Sequence, residues 1–292
     1  MAAAAHEPFR RMRGAVSVVR RLAAIVCALL SACGSGEGDM AAPPAAPPLQ
    51  FERVSAQPVR HGERIALVQG CRGCHEDDLT GSLWDDDPAE ATLYTSNLRR
   101  AVPRYTDAAL EQAVRGGVRP DGSPLWGMPS EIFTELSPAD MAALIAYLRA
   151  QPPAGEDHPR PVFGPAGRRD IAAGEWRPAP EEVRLGRGKG PPALDGRHDW
   201  ARYMIRATCS ECHRLDLTGH PPEDGRPGPP DLIAASGYTR EQFRHLLRTG
   251  EPVGGRRLGL MARVARGRFA HMSEREIDAI YDYLAARAAR PQ

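Results

Sequence analysis

The pentapeptide Cys-x-x-Cys-His occurs twice, as Cys71-Arg72-Gly73-Cys74-His75 and as Cys209-Ser210-Glu211-Cys212-His213. Two cysteines on one turn, separated by two residues, can form thioethers with the two vinyl groups of one porphyrin. The histidine directly after them then lies beneath the iron as proximal ligand. Each copy reads as a site for covalent attachment of a c-type haem, and two such sites predict an electron-transfer chain. A redox-active dithiol needs no histidine there. A zinc site using both CxxC pairs would want them roughly 15–20 residues apart, whereas well over a hundred residues intervene here.

The elements that must position these residues can be read from capping and periodicity. One helix runs into each motif, around 58–72 and 198–211. A second follows a threonine cap at Thr106 or Thr239, the latter with Gln242 three residues on as a capping box and with Phe243, Leu246 and Leu247 on one face. A third closes each half. Ser137 caps it in the first, with Pro138 at the first helical position and Met141, Leu144, Ile145 and Leu148 at helical spacing. In the second, Ser273-x-x-Glu276 is a capping box followed by Ile277, Ile280, Tyr281 and Leu284. No alternating strand pattern of convincing length is evident.

The two halves repeat beyond the motifs. Cys74-His-Glu-Asp-Asp-Leu-Thr-Gly81 matches Cys212-His-Arg-Leu-Asp-Leu-Thr-Gly219, Tyr105-Thr106 matches Tyr238-Thr239, and Gly122-Ser-Pro-Leu125 matches Gly255-Arg-Arg-Leu258. The last two matches share an offset of 133 residues, the mark of duplication. That offset also aligns Met128 with Met261. A methionine is by default core filling, but a thioether sulfur opposite histidine is the ligation of electron-carrying cytochromes c. Met128 and Met261 are therefore the expected sixth ligands. Met261 is the less secure, because Ala262 replaces Pro129 and because His271 and Met272 lie near. Met272 and Met141 read as core, and His220, His245 and His271 as surface.

The order helix, CxxCH, middle helix, methionine loop and closing helix, ending Ala146-Tyr147-Leu148 or Asp282-Tyr283-Leu284, resembles the class I cytochrome c fold. The resemblance implies an all-α chain of two tandem domains, 55–151 and 199–292, each of about three main helices around a covalently attached haem. Residues 152–198, rich in Pro, Gly and Arg, read as a linker or interface wrap without a core of its own, with His158 as solvated surface. The tandem is similar to bacterial dihaem cytochromes that serve membrane-bound alcohol and aldehyde dehydrogenases. It implies a single-electron carrier with two haem c groups, both His/Met ligated, working with redox protein partners and not itself an enzyme. A peroxidase or thiosulfate-oxidising dihaem enzyme is the rival, requiring one open iron. A dedicated subunit of a dehydrogenase or oxidase complex shares the carrier chemistry.

The formal charge of +1 argues against general affinity for nucleic acid or a membrane surface. It hides an asymmetry: residues 51–150 carry 10 Arg against 15 Asp and Glu, and residues 199–292 carry 15 Arg against 12. Arg256, Arg257, Arg263, Arg266 and Arg268 flank Met261 and form a candidate docking face for an acidic partner.

The first 33 residues give the address. An arginine-rich start precedes the apolar run Leu22–Leu30, too short for an ordinary membrane span, and Leu30-Ser31-Ala32-Cys33 resembles a bacterial lipobox. Cys33 is the expected lipidated N-terminus. Residues 34–54 then form a Pro/Ala-rich tether holding the protein to the periplasmic side of a membrane. A plain signal peptide releasing a soluble periplasmic protein is the alternative.

Overall fold

A computed structural model of the chain describes residues 49–222 and 228–290. The signal segment, Cys33 and most of the tether lie outside these residues. In the first half, α1 (Pro58–Val68) leads into α2 (Cys71–His75), then a hairpin of β1 (Leu83–Asp87) and β2 (Ala91–Tyr94), then α3 (Leu98–Ala101), α4 (Asp107–Gly116), α5 (Ser130–Phe133) and α6 (Pro138–Arg149). The connection carries β3 (Val162–Phe163), α7 (Pro165–Ala173) and α8 (Ala179–Leu185). The second half runs α9 (Asp199–Thr208), α10 (Ser210–His213), α11 (Arg240–Thr249), α12 (Leu260–Gly267) and α13 (Glu274–Ala288). No described helix is long and apolar enough to cross a membrane.

The helix starts follow from local chemistry. Thr106 Oγ1 accepts from Ala109 N–H at 3.1 Å, and Ser137 Oγ from Asp140 N–H at 3.1 Å. Reciprocal capping boxes form between Thr239 and Gln242 and between Ser273 and Glu276. Gly117 and Gly250 end α4 and α11 in the left-handed conformation. The helix expected over 58–72 is broken at Gly70, whose φ of +81° starts a separate turn for the first CxxCH.

Each core is built on a crossing of the first and last helices. In the first half Ile65, Ala66 and Val68 of α1 and Met141, Leu144 and Leu148 of α6 are buried together. In the second, Met204 and Ile205 of α9 meet Ile277, Ile280 and Leu284 of α13. The crossing of α1 and α6 depends on Gly62: a Cβ there would stand 1.9 Å from the Ala143 carbonyl oxygen and 2.9 Å from Tyr147 Cβ. Replacing glycine by alanine in a helix gains up to about 1 kcal/mol of propensity, and overpacking costs about 1–3 kcal/mol or more. Because the obstacle is backbone, Gly62→Ala is expected to lower the thermal midpoint. A raised midpoint would show that the helices move apart freely.

Two expectations need correction. The chain is helical in class, but an antiparallel sheet of order β1-β2-β3 is also present. Its strands are short, and β3 comes from the connection, pairing Ala91 with Phe163 and Thr92 with Val162. The connection also holds two helices and joins the first core's surroundings: Phe163, Trp126 and Trp176 form an aromatic cluster with ring centroids 4.6–5.7 Å apart. His158, read as solvated, stacks on Tyr94 at 5.1 Å and bonds to the Thr80 carbonyl at 3.0 Å.

The halves belong to one compact unit and grip each other reciprocally. Equivalent acids stand at the third position of the two closing helices, Asp140 in α6 and Glu276 in α13. Each is reached by the first helix of the opposite half. Tyr203 of α9 donates its hydroxyl to Asp140 Oδ2 at 2.5 Å, and Arg64 of α1 makes a bidentate pair with Glu276 at 2.8 and 3.0 Å. Between them passes the end of the segment read as tether: Phe51 N–H donates to Asp140 and Glu52 N–H to Glu276, each at 2.8 Å.

Candidate haem-binding site

The first motif opens onto a largely apolar cavity that runs from the CxxCH turn to the Met128 loop. Leu93, Val102, Leu110, Val114, Leu125, Phe133, Leu144 and Leu148 give it apolar walls. Cys71, Cys74, His75 and Met128 line the same space.

His75 Nδ1 meets the Ser96 carbonyl at 2.8 Å. That bond fixes the ring and leaves Nε2 as the nitrogen for a metal. Burial holds the imidazole below its ordinary pKa despite this bond, so the ring is neutral, as a ligand must be. Burial also pushes the Cys71 thiol up to about 12, an environment suited to a sulfur that ends as an uncharged thioether.

The second motif repeats this geometry. His213 Nδ1 meets the Pro230 carbonyl at 2.7 Å. In both copies the residue after the histidine and the leucine three residues further adopt positive φ: Glu76 and Leu79, Arg214 and Leu217. Gly81 N–H returns to the His75 carbonyl at 2.9 Å and Gly219 N–H to the His213 carbonyl at 3.1 Å. Leu98 N–H reaches Leu79 O as Leu232 N–H reaches Leu217 O, carrying the loop that holds the imidazole. Burial lowers the His213 pKa and raises the Cys209 thiol to about 11. All four motif cysteines are free thiols, and among the described residues no three His, Cys, Asp or Glu side chains converge as a metal-binding group. The first motif and its cavity fit a covalently held haem, and the second motif offers the same donor set in the same backbone geometry.

The methionines are placed differently. Met128 lies on a loop just ahead of α5 and faces the cavity shared with His75. Met261 stands in the first turn of α12, half-buried against the hydrophobic core that Cys209 also touches. The second methionine is thus on a helix where a loop was expected. Met141 and Met272 are buried in the core. His220, His245 and His271 are exposed, with His245 paired to Glu251 at 3.1 Å.

The hairpin supplies a residue that sequence reasoning missed. A bulge between Leu83 and Asp85 re-aims Trp84. Its ring lies against Gly127, where a Cβ would stand 2.0 Å from the indole, and lines the cavity beside Met128. The repeat carried a signal for it: the offset drops from 138 at Gly81/Gly219 to 133 at Tyr105/Tyr238, so the first half holds five more residues where the hairpin lies. The arginine cluster is also revised. Arg256, Arg257, Arg263 and Arg266 are exposed, whereas Arg268 turns inward.

A family model described as cytochrome c matches this chain twice, over residues 59–152 and 201–287. The chain belongs to the cytochrome c family. Membership brings covalently bound haem c and electron transfer. Among curated relatives, one of the subunits of nicotinate dehydrogenase from Pseudomonas putida is 31% identical over 178 residues, 54% of this chain and 14% of that protein. The cytochrome c subunit of quinone alcohol dehydrogenase from Gluconacetobacter polyoxogenes is 30% identical over 172 residues, 53% of this chain and 35% of that one. The fructose dehydrogenase cytochrome subunit from Gluconobacter japonicus is 23% identical over 274 residues, 80% of this chain and 53% of that one. This cytochrome therefore spans at most about half the length of these relatives.

Proposed function

We propose that the chain is a dihaem electron-transfer subunit that takes electrons from a dehydrogenase and passes them one at a time to an acceptor. The observation that carries this reading is the pair of CxxCH stretches with one backbone geometry, each histidine held through Nδ1 by a loop carbonyl. Cys71 and Cys74 would hold one haem and Cys209 and Cys212 the other, with His75 and His213 as proximal ligands. Met128 and Met261 would take the sixth positions. Bound there, the haems supply reversible one-electron exchange between ferric and ferrous iron.

The protein's own groups do the rest. The Ser96 and Pro230 carbonyls fix the imidazole orientation and raise its basicity. Trp84 and Trp126 line the Met128 side of the first cavity, with the Trp84 ring against Gly127. A methionine at each sixth position would keep small oxidants from the iron and raise its potential relative to bis-histidine ligation. The dehydrogenase cytochrome subunits among the relatives support a place in such a complex. Acylation of Cys33 would hold it at the periplasmic face of a membrane.

Purified full-length protein is expected to give two haem c per polypeptide in the pyridine haemochrome assay. Both ferric haems should show the weak near-infrared sulfur-to-iron band, and a dehydrogenase should co-purify from membranes. A high-spin ferric haem with peroxide turnover would instead favour an enzyme.

A further inference from the structure

The two attachment stretches face each other inside the unit, with one ion pair between them. Arg268, just after α12, lays its guanidinium against the first stretch: a Cβ on Gly70 would stand 2.0 Å from Arg268 Cζ, and one on Gly73 3.1 Å from Nη2. Its Nη1 donates to Oε2 of Glu211, which lies between Cys209 and Cys212 of the second stretch. The two side chains are only 15% and 23% exposed, and Glu211 reaches far enough to line the first cavity. One cation from the second half thus fills the space left by Gly70, just ahead of the first motif, and Gly73 within it, and is paired with a variable residue of the second.

The pair touches both motifs directly: Arg268 lies against Gly73 of the first, and Glu211 is itself a residue of the second. Screening by salt is weak at so buried a place, and a charge there interacts more strongly than it would in water.

We propose that Arg268 and Glu211 form a shared electrostatic element of both haem sites, a positioning pair that holds the two attachment edges together and sets the two reduction potentials jointly. The inference rests on the dihaem reading above. Reduction of an iron removes one unit of positive charge from its site. A fixed neighbouring cation therefore favours the reduced form and a fixed anion the oxidised form. The pair itself gives up no electron and no proton. With both charges present their effects largely cancel, and with one removed the other acts on both sites in the same direction.

Spectroelectrochemical titration of the full-length protein tests this. Arg268→Gln is expected to lower both midpoint potentials and Glu211→Gln to raise both. The double variant should bring both back toward the parent values, and Arg268→Lys should leave them near the parent. Should Arg268→Gln fail to assemble, Glu211→Gln carries the test alone. A purely structural clamp would change haem yield or stability without opposite shifts from the two single substitutions. With two haems attached, a shift confined to one potential, or shifts of the same sign in both single variants, overturns the proposal. A parent with fewer than two haems refutes the dihaem reading before any variant is measured.

Discussion

On the dihaem reading, a chain carrying Cys71→Ala together with Cys74→Ala is expected to mature with one covalent haem in place of two, and with its first half strongly destabilised. The cavity walls explain the second effect. Leu93, Val102, Leu110, Leu144 and Leu148 are buried in the protein yet line this cavity. A cavity that porphyrin does not fill leaves these walls without partner atoms on one side, so each forfeits the contacts that the haem would supply, and a folded state with a margin of only about 5–15 kcal/mol cannot lose many of them at once. Haemochrome quantitation, far-UV circular dichroism and limited proteolysis between residues 58 and 149 are the readouts. The second half should suffer too, because Arg64 and Tyr203 tie the halves together. A variant with one haem and an unchanged unfolding midpoint for the surviving half would show that the halves fold independently.

What could be read from the sequence was what local chemistry decides. The CxxCH turns, the caps at Thr106, Ser137, Thr239 and Ser273 and the apolar faces of α6 and α11 need only neighbours within a few residues. The hairpin does not. β1 reads Leu-Trp-Asp-Asp-Asp and is exposed on both faces, so no period-2 pattern marks it, and its sheet is completed by Val162 and Phe163 from the connection. Met261 was found by offset alone, and the offset carries position without conformation. In the second half three more residues separate the methionine from the closing serine, and there α12 forms, with Met261 in its first turn. Arg268 was read as part of an exposed docking face and Arg64 drew no reading at all, because their partners lie far away along the chain: Glu211 for the first and Glu276 for the second. Buried charge of this kind leaves no mark in composition or periodicity.

Glu276→Ala is the second substitution expected to act strongly, by about 3–5 kcal/mol, because it leaves a buried charge without its partner. Glu276 is fully buried and Arg64 is 9% exposed, so water cannot replace the carboxylate. The same carboxylate also accepts from Glu52 N–H and from Ser273 N–H, each at 2.8 Å. The substitution therefore also orphans two backbone donors and removes half of the cap of α13. These losses share one site and will not add. Removing both charges is different: Arg64→Met with Glu276→Leu exchanges a buried pair for apolar volume, which is often neutral. The double variant should accordingly be more stable than Glu276→Ala, even though it removes more polar groups. Guanidinium unfolding followed by haem absorbance and by circular dichroism measures both effects. If the pair serves chiefly to dock the halves, Glu276→Ala should also separate the two signals into distinct transitions. A loss below about 1 kcal/mol with coincident transitions would place the grip between the halves elsewhere, in Tyr203 and Asp140, where a hydroxyl and not a guanidinium meets the equivalent acid.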